Sequence, residues 1–523
     1  MKNIICTLLS LPLLALTSCS DSLEQYSQSE LAQGNLPATD DDAIALVNAA
    51  YQINVASQST CFSYMSDLVD ETTVSGENPN GGGGLLAYMN WEGTNSYIVK
   101  VWTVCAQGIA AANDAIDNVD GNSNVSESIQ QRVIGEAKFL RAYYMNYGVL
   151  YWGDYPIVLH NEDGEGVARA SVDDVYTQIV ADLEDAAKLL PKKSEYGSTD
   201  LGRATQGAAY AALSKVLLTW GQTSETLSNS ERKEKYNAAV EAANEVIDSG
   251  EYELEEDFSL NWDNDTRNGS ESIFETQHNT GSNSDGTGGN HLCHCSFSTG
   301  FSNDLPHVMP ANRDLIDSFI EGDQRKDVSL VDSLYNPSTG EYFTFKYPRF
   351  GKYIDRSDPE GSSSARNVNR TVLRYAEVLL IKAEAINERD GQPNSEAYEA
   401  FNQVRRRAFQ SFPVTAVSDY DLESGLNYEG FKSAIQQERS WEFVYEQKHW
   451  FDLLRWRILV TTIKNSTVAQ EGEYNKQNIS LKYYRYPIPT AQRELNPDGL
   501  WQNWGWDGYD ESVTGSNPYA DYE

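Results

Sequence analysis

Positive charge is what this chain has least of for its size. Its 523 residues carry 40 lysines and arginines against 77 aspartates and glutamates, a formal net charge of −37 at pH 7. A surface of that sign repels phosphate backbones, and no basic stripe with interleaved aromatics runs through the chain, so a nucleic-acid partner is excluded. Highly anionic polysaccharides are disfavoured on the same ground, although a local patch can override the global field. Neutral ligands are therefore the expectation. Long apolar runs are missing too: after Cys19 no stretch of 18 apolar residues occurs, which leaves no candidate for a spanning helix. The motifs H-E-x-x-H, G-x-S-x-G and G-x-x-x-x-G-K-[ST] are also absent, so no catalytic residues are assigned and a non-enzyme is expected. A glycoside hydrolase stays as the rival, since it needs only a pair of carboxylates and 77 acids supply pairs anywhere.

What is present begins with an address. Lys2 precedes an apolar run over residues 4–16, too short to span a bilayer, and the run ends in Leu16-Thr17-Ser18-Cys19. A small-residue cleavage site of the A-x-A kind is not there; the order resembles a lipobox, in which Cys19 becomes the acylated N-terminus after loss of residues 1–18. Several acyl chains on one residue anchor durably, because each buried methylene adds about 0.8 kcal/mol. The polar stretch 19–36 then reads as a flexible tether. Beyond Cys19 lie Cys61, Cys105, Cys293 and Cys295, which allow three pairings that the sequence does not choose between. "HLCHC" at 291–295 has a metal-ligand composition, but four ligands within five residues do not surround one ion tetrahedrally, so a loop with a disulfide or free thiols is expected and no metal.

The body is dominated by helical periodicity. Thr39 and Asp40–Asp42 supply N-cap and first-turn acids for "AIALVNAAYQIN". Ile129, Val133, Ala137, Leu140, Tyr144 and Tyr147 share one face; Val172, Val175, Ile179, Leu183, Ala186 and Leu190 share another, with Ser171 and Asp174 as a capping box. "GAAYAALSKVLLTWG" at 207–221 is rich in small residues that admit a close neighbour. Successive helical hairpins suggest a tetratricopeptide-like stack or a helical bundle, without a clean 34-residue period. Two regions interrupt it. Residues 70–97, with "GGGG" at 81–84, and residues 256–370 are rich in Gly, Asn and Ser, with strand-like pieces "SIFETQ" and "YFTFKYP". Long loops of this kind usually carry function, and a floppy surface loop is the competing reading for the glycine run. "NWDNDTRNGSE" at 261–271 partly matches a calcium loop, with Arg267 at a ligand position; no cofactor is expected, and calcium is the one ion left open. From 431 to 457 a helix interleaves Trp441, Phe443, Tyr445, Trp450, Phe451 and Trp456 with Glu438, Arg439, Glu442, Glu446, Asp452 and Arg455, which predicts paired charges inside helix packing.

These last segments carry a resemblance. "RYAEVLLIKAEAIN" from Arg374, "ERSWEFVYEQKHWFDLLRWR" from Glu438 and "YPIPTAQRELNPDGLWQNWGW" from Tyr486 are similar to C-terminal hallmarks of the SusD/RagB family of outer-membrane nutrient-binding lipoproteins of Bacteroidetes. "GEAKFLRAYYMNYGVLYWGDYPIV" from Gly135, "GRATQGAAYAALSKVLL" from Gly202 and "MPANRDLIDSFIEGDQR" from Met309 resemble family patterns in the same order. Gln447 and His449 depart from it, standing where members usually carry Gly and Arg. The resemblance implies a mainly α fold: a tetratricopeptide-like helical-hairpin scaffold with long irregular loops and a few short strands. It divides the chain into a signal peptide (1–18), a lipidated tether (19–36), an N-terminal helical region (37–255), a loop-rich ligand face (256–370) and a C-terminal helical region (371–523). It also implies a cell-surface location on the outer membrane through a lipid anchor, and a SusC-like TonB-dependent transporter as partner. The cargo would be a neutral glycan or oligosaccharide, with a peptide, as in the RagB branch, as the alternative. A purely structural or adhesive lipoprotein is the third reading. Family ligand sites present aromatic arcs, because sugar C–H faces pack on rings. By position the arc falls on Trp91 and Tyr88, with Asn95 beside them, and then on Phe297 and Phe301 in the loop 279–307. A buried ring plugging its own loop competes with each assignment. Trp450, Trp456, Tyr375 and the terminal "LWQNWGWDGY" read as scaffold.

Overall fold

A computed structural model describes residues 37–53, 58–75, 77–164, 166–278, 309–336, 339–354, 367–470 and 475–522. Cys19, Cys293, Cys295, Phe297 and Phe301 lie outside the described residues, so the lipid anchor, the 291–295 stretch and two of the candidate rings receive no structural account.

Helices build the scaffold: α1 (Asp40–Ile53), α2 (Gln58–Tyr64), α3 (Gly82–Ala87), α4 (Ser96–Val119), α5 (Glu127–Trp152), α6 (Val172–Leu189), α7 (Gln206–Thr223), α8 (Asn229–Asp248), α9 (Tyr375–Asp390), α10 (Ser395–Ala408), α11 (Tyr428–Glu442) and α12 (His449–Arg455). From α4 to α8 each helix packs on the next, α8 packs on α9, and α9 on α10, so the hairpins stack into one continuous array. The periodicity read from the sequence is the cause. Val133, Ala137, Leu140 and Tyr144 of α5, and Val175, Ile179, Leu183 and Ala186 of α6, are buried on the facing sides. Ser171 caps α6 by accepting the Asp174 amide at 3.2 Å, while its hydroxyl donates to the Asp174 carboxylate at 2.6 Å. Ser228 and Glu231 form a reciprocal capping box on α8. The small residues of α7 do what their size permits: a Cβ at Gly221 would stand 2.4 Å from the Tyr236 ring of α8.

Strands are few and short. β1 (Ser272–Thr276) pairs antiparallel with β4 (Arg370–Arg374), and β2 (Leu330–Asn336) with β3 (Glu341–Phe350) in a hairpin whose register sets Tyr335 opposite Tyr342. The glycine run is not a floppy loop. It forms α3, where Gly83 and Gly84 are buried, and a Cβ on Gly84 would fall 1.9 Å from the Asn78 carbonyl oxygen. The run marks a close backbone approach rather than slack.

The aromatic and charged C-terminal segment pairs its charges inside the protein. Glu442 accepts from Arg374 (2.5 Å), Arg325 (2.9 Å) and Arg407, and Glu271 accepts from Arg374 (2.6 Å) and Arg407 (2.7 Å). All five side chains are fully buried. Burial alone would raise the Glu442 carboxyl, but the Arg407, Arg374 and Arg325 guanidiniums hold it far below the carboxylate range. Glu438 also receives Arg325 (2.8 Å), Arg439 pairs with Asp452 (2.8 Å), and Arg455 with Glu384. Gln447, in place of the family's usual glycine, sits at φ +60°, and its side chain accepts from Arg370 at 2.7 Å. His449, in place of arginine, keeps an ion-pair position: its Nε2 lies 2.6 Å from Glu71.

Candidate functional site

The N-terminal helices, the β2–β3 hairpin and the C-terminal segments meet at a cleft of about 490 Å³. Its walls are the strand-like stretch Thr73–Ser75, Tyr88 at the end of α3, Ala311–Arg313, Lys346–Pro348 of β3, Thr467–Val468, and Asn475–Lys476. Backbone hydrogen bonds stitch these together. The Asn312 amide donates to Thr72 (2.7 Å), Val74 to Pro310 (2.9 Å) and Ala311 to Pro348 (2.9 Å). Behind the first wall Lys476 is buried and points its ammonium into three carbonyl oxygens, those of Leu68 (2.8 Å), Thr73 (2.9 Å) and Asp70. Burial lowers this lysine to about 8, opposed by Asp70 and Glu71. Burial also lifts Asp70 to about 6 and Asp67 to about 8. For His449, burial acts downward but the Glu71 carboxylate prevails and raises the imidazole to about 9.

A second opening, about 860 Å³, adjoins the cleft and shares Arg313, Ile316, Lys346 and Pro348 with it. On its rim the hairpin presents Tyr342, 73% exposed, and Tyr335, 47% exposed, as an edge-to-face pair with centroids 5.5 Å apart. Two large rings left in solvent on a soluble face are the arrangement expected of an apolar contact surface.

Of the residues singled out from the sequence, Tyr88 lines the cleft. It is half-buried, and its hydroxyl donates to the Glu77 (3.0 Å) and Ser75 (3.3 Å) carbonyls, which fixes the ring against the wall loop. Trp91 does not line it, which corrects the first assignment. The indole is 0% exposed, stacked on Tyr486 (5.1 Å) and Trp506 (6.2 Å) and edge-on to Tyr483 (4.5 Å). The C-terminal segment closes over it, leaving no face for a ligand. Asn95 is also a structural residue: it caps α4 by accepting the Tyr97 amide (3.0 Å) and donates to the Gly82 carbonyl (2.9 Å). Trp450, Trp456 and Tyr375 are buried, as the scaffold reading expects. In the calcium-like stretch, Glu271 is taken up by Arg374 and Arg407, and Arg267 turns to the Asn264 carbonyl (3.0 Å). Sequence reasoning missed Tyr335 and Tyr342. The available signal was the N-P-S-T-G turn between two strand-like runs, whose two-residue period puts this cross-strand pair on one face.

Two family models match the chain: one described as the SusD family over residues 228–506, the other as starch-binding, associating with outer membrane, over residues 22–218. SusD-like protein P25 of Formosa agariphila is 27% identical over 434 residues, covering 76% of this chain and 77% of that protein. Among solved structures, a SusD homolog from Bacteroides thetaiotaomicron superposes with a TM-score of 0.79 at 22% identity, covering 92% of this chain and 99% of its own. Surface glycan-binding protein A from Bacteroides fluxus superposes with a TM-score of 0.72 at 25% identity, covering 90% and 100%. No helix among the described residues is long and apolar enough to cross a membrane.

Proposed function

This chain belongs to the SusD family, and from that membership we propose that it is a surface lipoprotein that captures oligosaccharides and passes them to a SusC-like TonB-dependent transporter. Acyl chains on Cys19 hold it to the outer membrane, in keeping with the outer-membrane association in the description of the matching N-terminal family. The observation that carries the capture role is the aromatic cleft and groove. Tyr88 and Tyr347 face the cleft, and the exposed Tyr335–Tyr342 pair extends the apolar surface along the adjoining groove. Rings pack on the C–H faces of pyranoses, and the neighbouring Ser75, Asn475 and Ser333 side chains supply hydrogen-bonding groups for hydroxyls. The related surface glycan-binding protein from Bacteroides fluxus supports the same ligand class. We assign no catalytic residues.

The test is calorimetric titration of the purified chain with a panel of oligosaccharides and peptides, each mixture afterwards analysed for cleavage products. Binding of an oligosaccharide without cleavage is the expected result. Cleavage would replace capture by hydrolysis, and exclusive peptide binding would move the protein to the peptide-importing branch.

A further inference from the structure

We infer that the loop 409–420 is a second sugar-binding platform, where Phe412 and Tyr420 take the continuation of a neutral polysaccharide chain held in the Tyr335–Tyr342 groove. The inference rests on the capture role above and gives its cargo a length. Nine large apolar side chains stand exposed among the described residues. Six of them, Ile320, Tyr335, Tyr342, Phe412, Val417 and Tyr420, belong to the groove hairpin, to this loop or to the turn beside it. Exposed apolar side chains scattered singly need no explanation, but a cluster of them marks a contact surface.

The loop is held open rather than left slack. The buried Arg406 donates to both carboxylate oxygens of Asp421 (2.6 Å each) and to the Val414 carbonyl (2.8 Å), and Arg405 donates to the Tyr420 carbonyl (2.8 Å). The Ser411 hydroxyl donates to that of Ser418 at 2.8 Å, which closes the neck of the loop beside Phe412 and Val417. Tyr420 lies flat on Phe409, with ring centroids 4.4 Å apart and 6° between the planes, and is still 47% exposed. A ring fixed in this way meets a sugar face without first having to be ordered. Residues 408–418 carry no charged side chain, which suits a neutral ligand, and the exposed Thr415 and Asp419 offer partners for its hydroxyls.

The platform joins the groove directly. Gly322 lies against the Phe409 ring, where a Cβ would stand 3.9 Å from it. Gln324, at the start of the short helix Gln324–Ser329, donates to the Arg407 carbonyl (2.7 Å) and accepts from the Gln410 side chain (3.3 Å). Lys326 and Asp327 of that same helix line the groove. At 1.5 Å per residue the helix is about 9 Å long, a gap that a chain of sugars bridges and a single sugar does not. A protein partner is the competing occupant. Phe412 at 40% and Tyr420 at 47% exposure, out of the about 150–250 Å² an aromatic side chain can bury, amount with Val417 to roughly 300 Å². A standard protein interface takes about 800 Å² from each partner, so the platform fits a sugar chain better than a protein.

The experiment titrates the full chain with amylose, laminarin, galactomannan, inulin and xyloglucan fragments, each as a short and a long oligosaccharide of the same linkage. The long form of at least one glycan is expected to bind about tenfold more tightly than its short form, a modest gain for a second, tethered contact. Phe412→Ala should remove most of that gain and leave the short form's affinity and the melting temperature unchanged, whereas Tyr342→Ala should weaken both forms. Val417→Asp, at a position 89% exposed, puts a charge on the platform without disturbing packing and should act like Phe412→Ala. If short and long forms bind alike, or if neither loop substitution affects the long form, the platform falls and the capture role stands. Self-association in sedimentation that Val417→Asp abolishes, with glycan affinity untouched, would make the loop a protein contact and likewise overturn the inference. No binding by any of the glycans overturns both.

Discussion

Replacing Trp91 by alanine separates a core ring from a ligand platform. The indole is fully enclosed by Tyr483, Tyr486 and Trp506, so truncation leaves a cavity that these packed rings cannot fill without moving. Loss of a buried tryptophan costs about 3–5 kcal/mol, of which the ring pairs account for about 0.5–1.5 kcal/mol each beyond area burial. Unfolding entropy of about 2.1 cal/mol/K per residue gives roughly 1 kcal/mol/K for a chain of this length, so the melting temperature should fall by about 3–5 °C. Differential scanning calorimetry at one fixed scan rate, wild type beside variant, measures it, and oligosaccharide affinity well below the transition should stay within about twofold. Trp91→Phe should recover part of the loss by refilling the stack. An unchanged melting temperature together with abolished binding would refute the burial argument and return the ring to the ligand face.

Tyr342→Ala provides the opposite pattern, because its ring is 73% exposed: binding weakens by about 1–3 kcal/mol in calorimetry while thermal stability holds. Glu442→Gln removes the shared partner of three buried arginines and should lower the stability measured by urea titration by about 3–5 kcal/mol. For His449, the folded pKa of about 9 lies above the ordinary value of 6.5, so its ion pair with Glu71 stabilises fully below pH 6.5 and is lost as pH rises through 9. The melting-temperature gap between wild type and His449→Gln should therefore shrink across that window, and a gap independent of pH would remove the pair as its cause. Cys19→Ala should shift the protein from the membrane pellet to the supernatant on fractionation; continued pelleting would refute lipid anchoring at that residue.

The scaffold was readable because helical burial has a local signature. The residues of α5 and α6 that share a face at a spacing of three and four are the ones that touch their neighbours, and Ser171 announces the start of α6 by itself. The paired charges of 438–455 were readable for a similar reason, since a segment that alternates tryptophan with arginine and glutamate has no other way to be both buried and solvated. Trp91 was misplaced because its enclosure is not local: Tyr486 and Trp506 lie about four hundred positions further along the chain. The glycine run carries the same lesson. Nothing near it in sequence reveals that α3 must pass within van der Waals reach of the Asn78 carbonyl and the Tyr64 ring.

The ammonium of Lys476, ringed by three backbone carbonyls, occupies the kind of oxygen cage that many extracellular proteins fill with a divalent metal. Because this cation is covalently part of the chain, it never dissociates, and the order of the Leu68–Thr73 wall is independent of the hardness of the surrounding water. A chelator that softens a calcium-clamped loop should leave this one firm. Alkali does what a chelator does not. With its pKa drawn down to about 8, the ammonium loses its proton where a metal ion would keep its charge, so the clamp is immune to mineral scarcity and vulnerable to base.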